Sequence, residues 1–221
     1  MLSREEVGAV ISHLEHPFKL AVQLMYGCGL RLAELLNLRV QCFNFDQGIL
    51  TVHDGKGRKD RTVPLPRVLI PTLRDQMAKV RHLHELDLKR DWAGVFMPGA
   101  MSAKWKTAAK EFIWQWFFPA RGLTLVPVSG EQRRYHLHET QLQVALKEAA
   151  RKSGIPKRIT AHTFRHSFAS HLLRANVDIR TIQQLLGHAD LKTTMIYTHT
   201  VQSRTIKEAQ SPLDLPPDAF G

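Results

Sequence analysis

Cysteine is scarce in this chain: only Cys28 and Cys42 among its 221 residues carry a thiol. Their separation matches no metal-ligand spacing and both stand in apolar runs, so they read as reduced core residues with no redox role. Long apolar runs are missing as well. None approaches the roughly 20 residues that a membrane span needs, and Arg4, Glu5 and Glu6 do not make the basic-then-apolar opening of a leader. The expectation is a cytoplasmic protein without a membrane partner. There is no internal repeat and no low-complexity tract. Acidic side chains are in the minority, 20 Asp and Glu against 31 Lys and Arg, which gives a formal charge of +11 and a pI near 10. Polyanions are the natural partners of such a chain, nucleic acid first, although a basic surface kept for solubility gives the same balance.

What is present is enough for a real core. With 43% hydrophobic residues the chain reads as one compact domain. Ser3 with Glu6 three residues on forms a capping-box pattern that opens a helix to about Leu14. A second helix follows from Pro17, carries Leu20 and Leu24 on its apolar face and breaks at Gly27 to Gly29. Arg31 starts a third, with Leu32, Leu35 and Leu36 as its buried stripe. Residues 40–45 and 49–53 turn to short β-type runs around Asp46-Gln47-Gly48. Asp54-Gly55-Lys56-Gly57 makes a second turn before residues 61–63. A long helix is expected from Pro66 or Arg67 to about Asp87, and a short extended piece at 95–97. Trp105, Ala108, Ala109, Phe112, Ile113 and Trp116 fall at helical spacing, after which Pro119, Gly122, Pro127 and Gly130 predict loop. Helices are expected at 141–152, 163–174, 179–186 and 193–199. The fold class is α+β, mainly helical with a small antiparallel sheet.

Three separated clusters carry the chemistry. Arg31 lies in Gly29-Leu30-Arg31-Leu32-Ala33-Glu34, Arg165 in His162-Thr163-Phe164-Arg165-His166, and His188 follows Leu186-Gly187, with Tyr197 nine residues further on. Arginine offers a planar fork of donors matched to phosphate oxygens and keeps its charge, so Arg31 and Arg165 together suit a phosphodiester and the charge that builds up during attack on it. Each taken alone reads more simply as a surface arginine, and Arg31 has Glu34 one helical turn away as a partner. Tyr197 is a candidate nucleophile, since a phenol becomes reactive where a cationic pocket favours its phenolate. His162 and His188 suit proton transfer or phosphate hydrogen bonding. Lys56, between glycines, is a candidate general acid, with Arg58 and Lys59 as competing cations. His162 and His166 lie four apart, but without a nearby carboxylate they do not complete a metal site, and no cofactor is expected. A non-catalytic alternative also fits: 163–174, a turn at Ala175-Asn176 and 179–186 read as a helix-turn-helix DNA-binding regulator, which leaves Arg31, Lys56 and Tyr197 without a role.

Gly-x-Gly-x-Arg-x-x-Glu at 27–34, His-x-x-Arg-His at 162–166 and Leu-Gly-His followed nine residues later by Tyr resemble, in this order, the tyrosine recombinase family of phage-integrase-type site-specific recombinases. Phe164 stands where the family commonly has leucine. The resemblance covers residues 2 to about 207 and implies a catalytic domain over 1–210 with a tail at 211–221. It implies that Arg31, Lys56, His162, Arg165 and His188 gather around the scissile phosphate and that Tyr197 attacks it. The products are then a 3′-phosphotyrosyl enzyme and a free 5′ hydroxyl, with neither ATP nor metal required. Four protomers, assembled on DNA, act on two duplexes, with segments such as 201–209 packing onto neighbours. A bacterial, nucleoid-associated location is implied when the protein is on DNA. The family's separate N-terminal clamp domain is expected to be absent from these residues. Within the family the chain is most similar to integron integrases, which implies an insertion at about 98–137 that grips bases extruded from folded single-stranded sites. Trp114, Trp116, Pro119, Tyr135 and His136 are the candidate contacts, because aromatic rings stack on unpaired bases. Aromatic residues at this spacing also commonly fill a core.

Overall fold

The computed structural model describes residues 1–53, 60–92, 94–97, 107–127, 129–188 and 191–195. The chain divides into two units, one running Met1–Phe168 and the other starting at Ala169.

In the first unit, helix α1 (Arg4–Ser12) opens with the capping box that its sequence predicts: Glu6 N donates to Ser3 Oγ at 3.1 Å and Ser3 N to Glu6 Oε2 at 2.8 Å. Helix α2 (Phe18–Cys28) and the short α3 (Leu32–Leu36) follow, and α5 (Glu139–Lys152) packs against all three. Their core residues, including Val10, Leu20, Leu24, Leu35, Leu142 and Leu146, are at most 2% exposed. Each such side chain removed from water contributes about 1.5–3 kcal/mol. The three-stranded antiparallel sheet runs in the order β1 (Phe43–Asn44), β2 (Ile49–Val52) and β3 (Arg61–Pro64), with Leu50 opposite Val63 and Val52 opposite Arg61. Residues 40–42, expected to be extended, form a 3-10 turn that delivers the chain to β1. Helix α4 is Ile70–Lys89. The turn predicted at 54–57 lies outside the described residues.

The stretch from 107 to 136 departs most from its sequence pattern. In place of a helix there are two 3-10 turns, Ala108–Lys110 and Phe112–Trp114, separated by an extended Glu111, while Trp105 lies outside the described residues. A side chain and a neighbouring strand-like segment satisfy the backbone here: Gln115 Nε2 donates to Ala109 O and Glu111 O, and the backbone of Trp116 forms an antiparallel bridge with that of Arg39. In place of the predicted loop there is an antiparallel hairpin, β4 (Pro119–Leu125) with β5 (Gln132–His136). The inward residue of β5 is Arg134, so no apolar alternation marks the strand. Arg134 grips Asp87 of α4 with two hydrogen bonds, at 2.5 and 2.8 Å, and also donates to Ala120 O and Arg121 O.

Helix α6 (Ala161–Arg174) begins in the first unit and ends in the second. The second unit continues with α7 (Ile179–Leu186), N-capped by Asp178, and α8 (Leu191–Met195), and these two pack together. Among the described residues no helix is long and apolar enough to cross a membrane.

Candidate functional site

The Gly-x-Gly-x-Arg segment works as a sequence of backbone devices. A side chain on Gly27 would put its Cβ 2.6 Å from Pro66 Cγ, so only glycine lets α2 pass there. Gly29 takes the left-handed conformation, φ 64° and ψ 30°, that ends α2 without steric cost. The chain then re-enters a helix with Arg31 at the N-cap of α3, its backbone N–H donating to Glu34 Oε2 at 2.8 Å. This fixes where the Arg31 side chain starts.

Glu34 is the hub. Arg31 Nη1 donates to its Oε1 at 2.6 Å, which is the pairing foreseen from their spacing. Arg61, at the first position of β3, forks onto the same carboxylate with contacts of 2.9 and 2.7 Å. Arg165 of α6, 1% exposed, places Nη1 3.6 Å from Oε2 and donates to Gly29 O at 2.5 Å. Burial by itself would raise the Glu34 carboxyl, but the Arg61 fork, the Arg31 amide and the charges of Arg61 and Arg165 outweigh it and hold it at about 2. Among the described residues, three guanidiniums meet this one carboxylate, and the four side chains together sum to +2.

That charge borders open space. A cavity of about 540 Å³ is lined by Arg31, His162 and Arg165, with Gln143 and Lys147 of α5 and Thr160 completing its polar wall. His162 is exposed, while His166 one helical turn on is half-buried, and burial above all pushes its imidazole below the ordinary range. Among the described residues no three His, Cys, Asp or Glu side chains gather as a metal site.

His188 belongs to the second unit. Gly187 ends α7 with φ 64° and ψ 42°; its N–H donates to Gln184 O at 3.0 Å and that of His188 to Gln183 O at 3.1 Å, the two bonds of a Schellman cap. Gln183 Nε2 donates to His188 O, and His188 Nδ1 shares a hydrogen bond of 2.9 Å with Thr194 Oγ1. The Leu-Gly-His order is therefore a helix stop that holds the imidazole by its backbone and one ring nitrogen. Lys56, Arg58, Lys59, Tyr197, the 201–209 segment and the 211–221 tail lie outside the described residues.

The aromatic candidates separate by burial. Trp116 is 4% exposed; its indole N–H donates to Arg134 O, and the buried Arg39 guanidinium stacks 3.6 Å from its ring centre. It is a core residue here, not an accessible stacking platform. Arg39 also donates to Trp114 O and Phe96 O. Tyr135, 39% exposed, meets Phe96 and Trp116 edge-on, and His136, half-buried, donates from Nδ1 to Leu137 O. Pro119 begins β4, and Trp114 is half-buried. Sequence reasoning missed Arg61 and Thr194. Arg61 follows the glycine turn by a few residues on a short strand, a position where a cation reads as solvated surface, so no local signal marks it.

The described residues form a mainly helical fold with small antiparallel sheets and an arginine cluster beside a cavity. The phage integrase family profile matches residues 1–204, and the chain belongs to that family. An integrase/recombinase of Escherichia coli is 43% identical over 98% of this chain and 64% of its own length. Tyrosine recombinase XerA of Pyrococcus furiosus is 36% identical over 94% of this chain and 59% of its own. The chain thus spans about two thirds or less of the length of these relatives. The crystal structure of XerA recombinase superposes with a TM-score of 0.63 at 25% identity, covering 95% of this chain and 65% of that one. The catalytic domain of bacteriophage HP1 integrase, 16% identical with a TM-score of 0.54 over 94% of both chains, shares the fold.

Proposed function

We propose that this chain is the catalytic domain of a tyrosine-type site-specific recombinase that breaks and rejoins DNA through a 3′-phosphotyrosyl intermediate. The observation that carries the reading is the cavity bordered by Arg31, Arg165 and His162 with Glu34 holding the guanidiniums. A phosphodiester seated there receives hydrogen bonds from both arginines on its non-bridging oxygens, so the charge of the pentacoordinate transition state meets donors that are already oriented. Tyr197 attacks phosphorus and Lys56 delivers a proton to the departing 5′ oxygen. His162 and His188 hydrogen-bond the phosphate or relay protons. The 5′ hydroxyl of a partner duplex reverses the reaction with no net loss of phosphodiester bonds. DNA is the partner, and four protomers assemble on two duplexes.

A pool of nicked suicide duplexes with randomised cores tests this directly. The chain is expected to form a detergent-resistant protein–DNA adduct that Tyr197→Phe abolishes and Arg165→Gln depresses by about a hundredfold or more, the scale of losing one transition-state donor. An adduct that survives Tyr197→Phe refutes the nucleophile; duplex binding without any adduct favours the helix-turn-helix regulator instead. The finer reading is integron cassette integration and excision. It is supported by the hairpin ahead of α5, on which the rings of Tyr135 and His136 lie 4.0 Å apart, and it predicts more adduct on a folded single-stranded hairpin than on duplex.

A further inference from the structure

We infer that Thr194 is a positioning residue for His188: its buried hydroxyl donates to Nδ1, which keeps the proton of the neutral imidazole on Nε2, the nitrogen that meets the phosphodiester. The inference rests on the proposed reading of His188 as a phosphate contact.

His188 is held from two elements of the second unit. Helix α7 fixes its backbone on both sides, through the His188 N–H to Gln183 O and through Gln183 Nε2 to His188 O. Those bonds place the Cα and do not by themselves turn the ring. The contact to the ring comes from α8, with Thr194 Oγ1 2.9 Å from Nδ1. Thr193 and Thr194 are adjacent but differ in burial, Thr193 exposed and Thr194 1% exposed. A buried position that only fills space is served by valine, which has nearly the shape of threonine and no hydroxyl to take out of water. A buried hydroxyl is costly unless it is paired, and here the imidazole pairs it.

The direction of that bond decides what the other ring nitrogen can offer. A neutral imidazole carries one proton, on Nδ1 or on Nε2. With the proton on Nδ1, Nε2 presents a lone pair, which repels a phosphate oxygen. With Thr194 donating to Nδ1, Nε2 carries the proton and donates to the phosphate instead. When the ring takes a second proton, Nδ1 becomes a donor and the same hydroxyl accepts, so both the contact and the Nε2 donor persist. A carboxylate in the place of Thr194 would favour the charged ring, whereas a neutral hydroxyl orients it without doing so. Tyr197 follows Thr194 by three residues, so the bond also ties the ring to the segment that leads to the proposed nucleophile.

Long-range proton–nitrogen NMR correlations of the whole chain, labelled in histidine, read the His188 tautomer, and the single-turnover rate of adduct formation on the randomised suicide pool reads its consequence. The neutral ring of the parent is expected to carry its proton on Nε2. Thr194→Val keeps the shape and removes the hydroxyl; it is expected to mix the two tautomers and to slow adduct formation about tenfold, the scale on which losing the partner of an oriented imidazole acts at metal sites. Its duplex affinity is expected to stay within about twofold of the parent, because an orienting bond acts on the rate and not on binding. Thr194→Ser restores the hydroxyl and is expected to recover both the tautomer and the rate to within about threefold. A parent ring with its proton on Nδ1 overturns the inference, even where adduct forms and the recombinase reading stands. So does a folded Thr194→Val chain with the tautomer and rate of the parent, or a folded Thr194→Ser chain as slow as Thr194→Val, since packing of the methyl group would then be what matters. Should Thr194→Val fail to fold, the parent tautomer and the serine variant decide. If the Nε2 proton depends on the Thr194 hydroxyl but no DNA yields an adduct, the positioning role stands and the recombinase reading fails.

Discussion

Replacing Glu34 by glutamine removes the hub and leaves three arginines facing one another. The carboxyl sits at about 2 in the folded chain against an ordinary 4.5, and its side chain is only 8% exposed, so screening by solvent is small. At about 1.4 kcal/mol per pH unit, the ionised carboxylate stabilises the fold by about 3 kcal/mol at pH 7. The sign follows from the depressed folded value. The contribution is complete above the unfolded value of 4.5 and is lost as pH falls toward about 2, with less than half of it left by pH 3. Urea unfolding of the parent and of Glu34→Gln at pH 7, 5, 4 and 3 measures the difference. It is expected to be about 3 kcal/mol at pH 7 and to shrink below pH 4.5. A gap under about 1 kcal/mol at neutral pH, or one that does not narrow with acid, refutes the claim that the arginines are held together through this carboxylate.

Gly187→Ala forces a side chain into a left-handed position of φ 64° and is expected to lower stability by about 1–2 kcal/mol in urea and to shift the imidazole NMR signals of His188; unchanged signals would mean that the cap does not position this ring. Asp87→Ala strands the buried Arg134 guanidinium and is expected to cost about 3–5 kcal/mol, whereas the double change Asp87→Leu with Arg134→Met is expected to come much closer to the parent in thermal denaturation. Burial raises the Cys28 thiol to about 12, so it is expected to resist a thiol-specific disulfide reagent at pH 8 until the chain is unfolded; rapid labelling of the native protein would contradict its burial.

Helix positions with local grammar were legible in the sequence. The Ser3/Glu6 box, the glycines at 29 and 187 and the leucine stripes each act within a turn or two of the chain, and the structure places α1, α2, α3 and α7 close to where they point. The hairpin at 119–136 was not legible, because its inward residue is an arginine whose carboxylate partner, Asp87, lies 47 residues away in sequence. The 3-10 turns before it were read as helix because apolar spacing fixes which face is buried but not which groups satisfy the backbone, and here Gln115 does so. For the candidate site, Arg31, His162 and Arg165 were singled out by residue type and spacing, and all three are among the residues that line one cavity. Arg61 could not be found, since its role is defined by a carboxylate 27 positions earlier that a neighbouring arginine already seemed to explain.

The chain uses the same two residue types in two stoichiometries, and the contrast separates structure from site. Arg134 and Asp87 pair one to one, with the remaining guanidinium N–H groups donated to backbone carbonyls, so the charge is closed and nothing further is attracted. At Glu34 the ratio is three to one. Two unit positive charges about 6 Å apart repel by about 3 kcal/mol at an effective dielectric near 20. A cluster of guanidiniums without any anion would therefore push its members outward toward water. One carboxylate offsets part of that repulsion where Arg165 is 1% exposed. Arginines oriented by folding beside an open cavity would have their reorganisation cost met at folding and not on the arrival of an anion, which is what the proposed function requires. This is the condition under which fixed donors stabilise transient negative charge more strongly than water does.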